Sequence, residues 1–295
     1  MSTNTNSSFA VLGSNGTISP FIIDAFAKNP KVKKLIVVTR PSSKAPSSLP
    51  SNVESISVDY NNRSALVEVF KKHSTDVVVS TLSAEAILDA QKKAAVAAKE
   101  AGVKLFVPSE YGIVTTGFAG KGTPGTGNPL VDKDVFAEFL KSIDLPYARV
   151  FSSLWHQAIP FVVDYDTNQK VNIIGKGETP VSFTAQEDVG GFVSHVLTTV
   201  PLPQLSNAQL RLEGDCATLR QLADRFGQGH AFVETVPGPI FREILLKQFE
   251  SGAGSTGWDN GKQKENPKDS EEGAGSANKL WEGHVWKKLE DVVKF

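Results

Sequence analysis

Gly13-Ser14-Asn15-Gly16-Thr17-Ile18-Ser19 follows a short apolar run, Phe9 to Leu12, and precedes a helical stretch opening at Pro20. Between a strand and a helix, this turn suits a phosphate. A first glycine permits the tight turn and a second lets the backbone approach a pyrophosphate. The following helix then offers free N–H groups and a positive dipole end. The third position, usually glycine for close helix–strand packing, is Ser19. A glycine-rich turn that binds nothing is the plainer alternative. After the next apolar run, Leu35 to Val38, comes Thr39-Arg40-Pro41-Ser42-Ser43-Lys44. An NAD-preferring site places a carboxylate here, on the ribose hydroxyls. Arginine instead pairs bidentately with phosphate. Arg40, with Ser42, Ser43 and Lys44, therefore fits the 2′-phosphate of NADP(H), against the alternative of a solvated basic turn.

The elements that must position these residues alternate. Strands are predicted at Phe9 to Leu12, Leu35 to Val38, Val53 to Val58, Asp76 to Thr81, Lys104 to Val107 and Pro146 to Val150. Helices are predicted at Pro20 to Lys28, Ser64 to Lys72, Ala84 to Ala101 and Val131 to Ser142. The strands hold few polar residues, as strands covered on both faces do. The predicted fold class is α/β: a Rossmann-type doubly wound parallel sheet, with a smaller α/β lobe from the second half. The expected division is a cofactor-binding domain over 1–150 and a mainly substrate-binding lobe over 151–295. In that lobe, Lys170 to Ile174 and Val181 to Thr184 read as a hairpin, and 251–277, rich in Gly, Ser and charge, as a long flexible loop. Lys279 to Val293 reads as an amphipathic helix that docks on the core, or else forms a partner or homodimer face.

Composition excludes other classes. The 295 residues carry 31 Lys plus Arg against 32 Asp plus Glu, a net charge of −1, which argues against a strongly basic nucleic-acid binder. Cys216 is alone, and the five histidines include no close ligand pair, so neither a disulfide nor a metal site is expected. No apolar run approaches the roughly 20 residues of a membrane span. The polar start resembles no secretory signal. The expectation is a soluble cytoplasmic protein with a small-molecule substrate. Its chemistry differs from ordinary short-chain dehydrogenases, which carry Tyr followed four residues later by Lys. Tyr60, Tyr111, Tyr147 and Tyr165 are followed at that spacing by Ser64, Thr115, Phe151 and Gln169.

Val103 to Gly112, reading Val-Lys-Leu-Phe-Val-Pro-Ser-Glu-Tyr-Gly, resembles a stretch of the isoflavone reductase-like and NmrA-like proteins. Asp132-Lys133-Asp134-Val135, Leu145-Pro146-Tyr147-Ala148-Arg149-Val150 and Gln186-Glu187-Asp188-Val189-Gly190 are similar to later segments of the same family. The glycine turn and Arg40 also fall where the family has them, and the likeness spans roughly residues 8 to 250. Lys104-Leu105 in place of Lys-Arg, Ser19 in place of glycine, and the 251–277 segment depart from the pattern. The resemblance implies an atypical short-chain reductase: NADPH-dependent hydride transfer to a small aromatic or phenolic, enone or benzylic-ether substrate. It also implies that Lys133 is the acid–base group. Desolvation near a nicotinamide would lower the Lys133 pKa toward neutrality; the alternative is an exposed lysine paired with Asp132 or Glu138.

Other candidates are secondary. Tyr111 is a second catalytic or substrate residue, and Pro108 and Ser109 would face cofactor at the sheet edge where ligands collect. The alternative there is a turn with Glu110 bonded to backbone. Ser80, Thr81 and Leu82 would line cofactor, or simply end a strand. Phe151, Trp155 and His156 are substrate candidates, with Phe161 beside them; core packing, and for His156 a structural hydrogen bond, are the alternatives. A second functional reading is a non-catalytic, NADP(H)-sensing NmrA-like regulator. A sugar-nucleotide epimerase is disfavoured by the missing Tyr-Lys pair.

Overall fold

Short runs of Val, Ile, Leu and Phe build one parallel sheet: β1 Ser8–Leu12, β2 Lys34–Thr39, β3 Glu54–Ser57, β4 Val77–Ser80 and β5 Leu105–Val107. The computed structural model describes residues 6–43 and 49–295. Lys44, expected beside Arg40, lies outside the described residues. The strand order is β3-β2-β1-β4-β5, and every neighbouring pair is parallel. From β1 the chain winds first toward β3, then crosses back to β4 and β5. The winding reverses between β1 and β4, where open α/β sheets hold ligands beyond the carboxyl ends of the strands. Register sets Leu12 opposite Val38 and Ser80, so the exits of three strands lie side by side.

Four helices cross between or flank these strands: α1 Ser19–Lys28, α2 Arg63–Lys72, α3 Lys92–Ala101 and α4 Pro129–Ser142. Ala94, Ala97 and Ala98 of α3 pack with Phe70, Phe106 and Phe136 in one buried cluster. On α1, Ile22 and Phe26 are fully buried, with the Phe26 ring 4.6 Å from that of Phe9. Enclosing each such side chain stabilises the fold by roughly 2–3 kcal/mol relative to exposure. A further strand, β6 Ala148–Phe151, is preceded by Tyr147, which bridges Phe106 in parallel.

The single helix predicted over Ala84 to Ala101 is three pieces. A 3-10 turn at Ala84–Ala86 and a π-helical turn at Ile87–Gln91 precede α3. Such widened turns re-aim side chains and recur at functional sites.

The chain forms two units: 1–110, 115–150 and 190–209 in the first, and 111–114, 151–189 and 210–295 in the second. The expected boundary at 150 is therefore crossed by two segments. In the second unit, Val181–Thr184 pairs antiparallel with Asp215–Ala217 and parallel with Leu154–Trp155. Lys170–Ile173 pairs instead with Gly229–Phe232, so the predicted hairpin does not form. Within the intervening segment, Gly177 N–H donates to the Glu250 carboxylate at 2.9 Å.

The 251–277 segment is also not a structureless loop. Residues 252–257 are buried, and a two-strand pair joins Trp258–Asp259 to Lys264–Glu265. Gly254 O accepts the Ser182 N–H at 3.0 Å, and Thr256 O accepts Arg211 at 2.6 Å. Its buried part satisfies polar groups through distant partners, while most of 261–272 is exposed. The predicted last helix shortens to Leu289–Val292, after a left-handed Gly283 (φ 78°) and a single turn at Asn278–Leu280.

Candidate active site

The glycine turn leaves β1 at Gly13, whose φ of 88° is a left-handed conformation that costs glycine nothing. A Cβ there would sit 3.3 Å from both Thr81 Oγ1 and Leu82 Cδ2. Gly13 N–H donates to Val38 O at 2.9 Å, fixing the turn to the exit of β2. Ser19, in place of the third glycine, donates to Thr81 Oγ1 at 2.7 Å, and Thr81 donates to Leu12 O at 2.9 Å. The departure from glycine thus supplies a clasp between α1 and β4. No side chain caps the start of α1, and its first turn holds no acidic residue. Its Ser19 N–H donates to Gly16 O at 3.2 Å and Pro20 has no N–H, but no acidic residue offsets the helix dipole, which favours an anion. Asn15, Gly16 and Thr17 are exposed, Ile18 is buried, and Ser14 Oγ is buried with no hydrogen-bond partner among the described residues.

Arg40 is exposed just past β2, and Ser43 N–H closes a turn onto Arg40 O at 2.9 Å. Tyr60 lies beneath this corner, buried, and donates to Val38 O at 2.9 Å. Burial pushes its phenol pKa up, while the Arg40 charge pulls the other way. Nothing in the local sequence beyond the missing Tyr-Lys pair marks Tyr60 for this place.

The exits of β4 and β5 are tied together. Ser80 and Thr81 are buried, and Leu82 O accepts the Ser109 hydroxyl at 2.8 Å. Ser109 N–H donates to Gln91 Oε1 at 3.0 Å. Gln91, itself buried, comes from the π-helical turn. Pro108 O accepts the Glu110 N–H at 2.9 Å.

Lys133 lies in the second turn of α4 and is half-buried. Its Nζ donates to Glu110 O at 2.7 Å. Asp132 instead receives the Gly125 N–H at 2.7 Å, and Glu138 is exposed. Burial lowers the Lys133 pKa; the Glu110 carboxylate opposes that shift and the Arg149 guanidinium adds to it. Arg149 is almost fully buried on β6 and donates to Glu110 at 2.8 Å and to Asp134 at 2.9 Å.

The first unit therefore gathers Gly13, Ser14, Thr81, Leu82 and Ser109 at the carboxyl edge of one sheet, with Lys133 held on the backbone just after β5. The second unit holds the substrate candidates. Tyr111 is buried with φ 48°, and its carbonyl accepts Ser152 Oγ at 2.8 Å. Trp155 Nε1 donates to the same Ser152 hydroxyl at 3.1 Å. Phe151 and His156 have no exposed surface, and burial holds the His156 imidazole pKa below its ordinary value. Phe161 is half-exposed, 6.0 Å from the Phe241 ring.

The Asp188-Val189-Gly190 motif serves structure in two ways. Within the second unit, Asp188 accepts the Lys287 N–H at 2.8 Å and bonds His284 at 3.0 Å. Within the first, a Cβ on Gly190 would come 2.5 Å from Phe21 O, so only glycine admits this helix contact.

This sheet order and glycine turn define a Rossmann-type α/β protein. Residues 5–122 match the model of the NmrA-like family. Oxidoreductase BOA1 of Botryotinia fuckeliana is 27% identical over 212 residues, covering 67% of this chain and 68% of that protein. Isoflavone reductase homolog P3 of Arabidopsis thaliana is 27% identical over 203 residues, covering 63% of each. The match thus spans less than two thirds of the plant relative. The fold matches that of leucoanthocyanidin reductase from Vitis vinifera, solved with NADPH, at TM-score 0.72 and 18% identity over 97% of both chains. Together these relatives support an oxidoreductase. No helix among the described residues is long and apolar enough to cross a membrane.

Proposed function

We propose that this chain is an NADPH-dependent reductase of a small aromatic or phenolic, enone or benzylic-ether substrate, with Lys133 as its acid–base group. The observation that carries this reading is the Lys133 ammonium held 2.7 Å from Glu110 O, beside the exit of β5, with its pKa lowered by burial. A lysine so placed protonates, or hydrogen-bonds to, the oxygen on which charge develops.

The residues present fit the dinucleotide. Ser14 Oγ is a buried donor awaiting an acceptor, as a pyrophosphate oxygen is. The dipole of α1, offset by no acidic residue, and the exposed turn Asn15 to Thr17 before it would face the same anion. Arg40 and Ser43 would hold the 2′-phosphate, and Lys44 completes that proposed set. Ser80, Thr81, Leu82, Pro108 and Ser109 would border the rest of the cofactor. When bound, NADPH supplies the hydride. Tyr111, Phe151, Trp155 and His156 are the proposed substrate residues, with Tyr111 a second candidate for proton handling.

Two experiments test the reading. Titration with NADPH and NADH should show a clear preference for NADPH; equal affinity removes the role of Arg40. Incubation with NADPH and isoflavones, lignan-type ethers, quinones and enones should oxidise the cofactor with at least one of them. Tight NADPH binding without turnover on any would favour the regulatory reading instead.

A further inference from the structure

Arg149 is a cation inside a buried strand, where charged residues occur almost only when paired. It is 3% exposed, and its partners Glu110 and Asp134 are 4% and 6% exposed. Its Nε donates to Glu110 Oε1 at 2.8 Å, and its Nη1 to Asp134 Oδ1 at 2.9 Å and Thr116 Oγ1 at 3.1 Å. Its Nη2 donates to Thr115 Oγ1 at 2.5 Å, and Thr115 donates to Glu110 Oε2 at 2.9 Å. The far oxygen of Asp134 accepts the N–H groups of Gly117, Phe118 and Ala119, each at 2.9 Å.

This network grips both supports of Lys133. Glu110 is the residue whose main-chain oxygen receives the Lys133 ammonium. Asp134 is its neighbour on α4. One guanidinium therefore fixes the strand exit and the helix between which the amine is held. Arg149 also neutralises the carboxylate of Glu110 and that of Asp134, either of which would otherwise favour a charged lysine. Asp132 is engaged by the Gly125 N–H.

We infer that Arg149 and Glu110 are positioning residues of opposite sign that set how readily Lys133 gives up its proton. The inference rests on the proposed role of Lys133 for its meaning in catalysis, but not for its test. Removing the Glu110 charge while keeping its hydrogen-bond acceptor should make neutral amine more available. Removing the Arg149 charge leaves carboxylates uncompensated and should make it less available. A merely structural role would move both variants the same way, toward the behaviour of an exposed lysine.

The readout is competitive acetylation of Lys133 by acetic anhydride across pH, followed by mass spectrometry on the full chain. Glu110→Gln should lower the midpoint of the Lys133 pH profile by about one unit, roughly tenfold in neutral amine below the midpoint. Arg149→Met should raise it by a similar amount. Breaking a buried pair can prevent folding, so Arg149→Lys is the companion: it retains the charge and should keep the midpoint near wild type. Should R149M not fold, E110Q and R149K decide. Unchanged midpoints in E110Q, or shifts in the same direction in E110Q and the Arg149 variant, would overturn the inference. Turnover by Lys133→Ala at the wild-type rate would instead remove the catalytic reading and leave these midpoints standing.

Discussion

Ser19 Oγ donates to Thr81 Oγ1 across 2.7 Å, joining the first residue of α1 to the exit of β4. Both side chains are buried, and Thr81 passes the contact on to Leu12 O. The bond spans the point where the sheet reverses its winding, so it fixes the turn proposed to carry the pyrophosphate. Ser19→Ala leaves the Thr81 hydroxyl short of a donor and should cost about 1 kcal/mol. Urea unfolding should show that loss, and titration should show NADPH binding weakened severalfold. Unchanged stability would mean that the clasp contributes nothing.

Gly13→Ala should be harsher. The left-handed φ of 88° strains any side chain, and the new Cβ would press on Thr81 and Leu82 at 3.3 Å. The expected cost is about 1–2 kcal/mol of stability, with at least roughly tenfold weaker NADPH binding as the turn shifts. Denaturation midpoints and a fluorescence titration check both numbers.

Arg40→Ala should separate binding from stability. The side chain is exposed, and exposed substitutions of this kind change stability by less than about 0.5 kcal/mol. Loss of a phosphate-facing guanidinium should weaken NADPH by about tenfold, or 1.4 kcal/mol, and leave NADH affinity unchanged. Parallel losses for both cofactors would contradict the assignment.

Asp76 predicts a pH dependence. Burial pushes its carboxyl up, but the Lys104 ammonium at 2.7 Å and the N–H groups of Ser7 and Ser8 hold it below its ordinary value. A depressed carboxylate contributes stability that is present above its unfolded pKa and lost as pH falls through the folded one. Asp76→Asn should therefore lose about 1–2 kcal/mol at neutral pH. The gap to wild type should close in acid, below about pH 4. Unfolding curves across pH measure it; a constant gap would contradict the pairing. The same pair accounts for lysine at position 104.

The sheet and its first turn were legible because apolar runs bounded by Gly, Pro or Asn report buried strands directly. Phe9 to Leu12 followed by Gly13 is such a case. The Ala84 to Ala101 stretch was not, because helix propensity does not register a π-helical turn, and Gln91 was missed with it. Composition misjudged 251–277, where Thr256 N–H finds Ser182 Oγ 74 residues away; local pattern carries no trace of such a partner. Arg149 carries no role in the expected Pro146 to Val150 strand. A cation in an apolar strand was the available signal that a buried carboxylate pair must face it.

Lys133→Ala is the most direct test of the central claim. With 4-deuterated NADPH and a substrate found in the panel, wild type should transfer deuterium to product. The variant should bind NADPH with unchanged affinity and transfer deuterium roughly 10²–10⁴-fold more slowly. Transfer at the wild-type rate by the variant would contradict the assignment of Lys133 as the acid–base group.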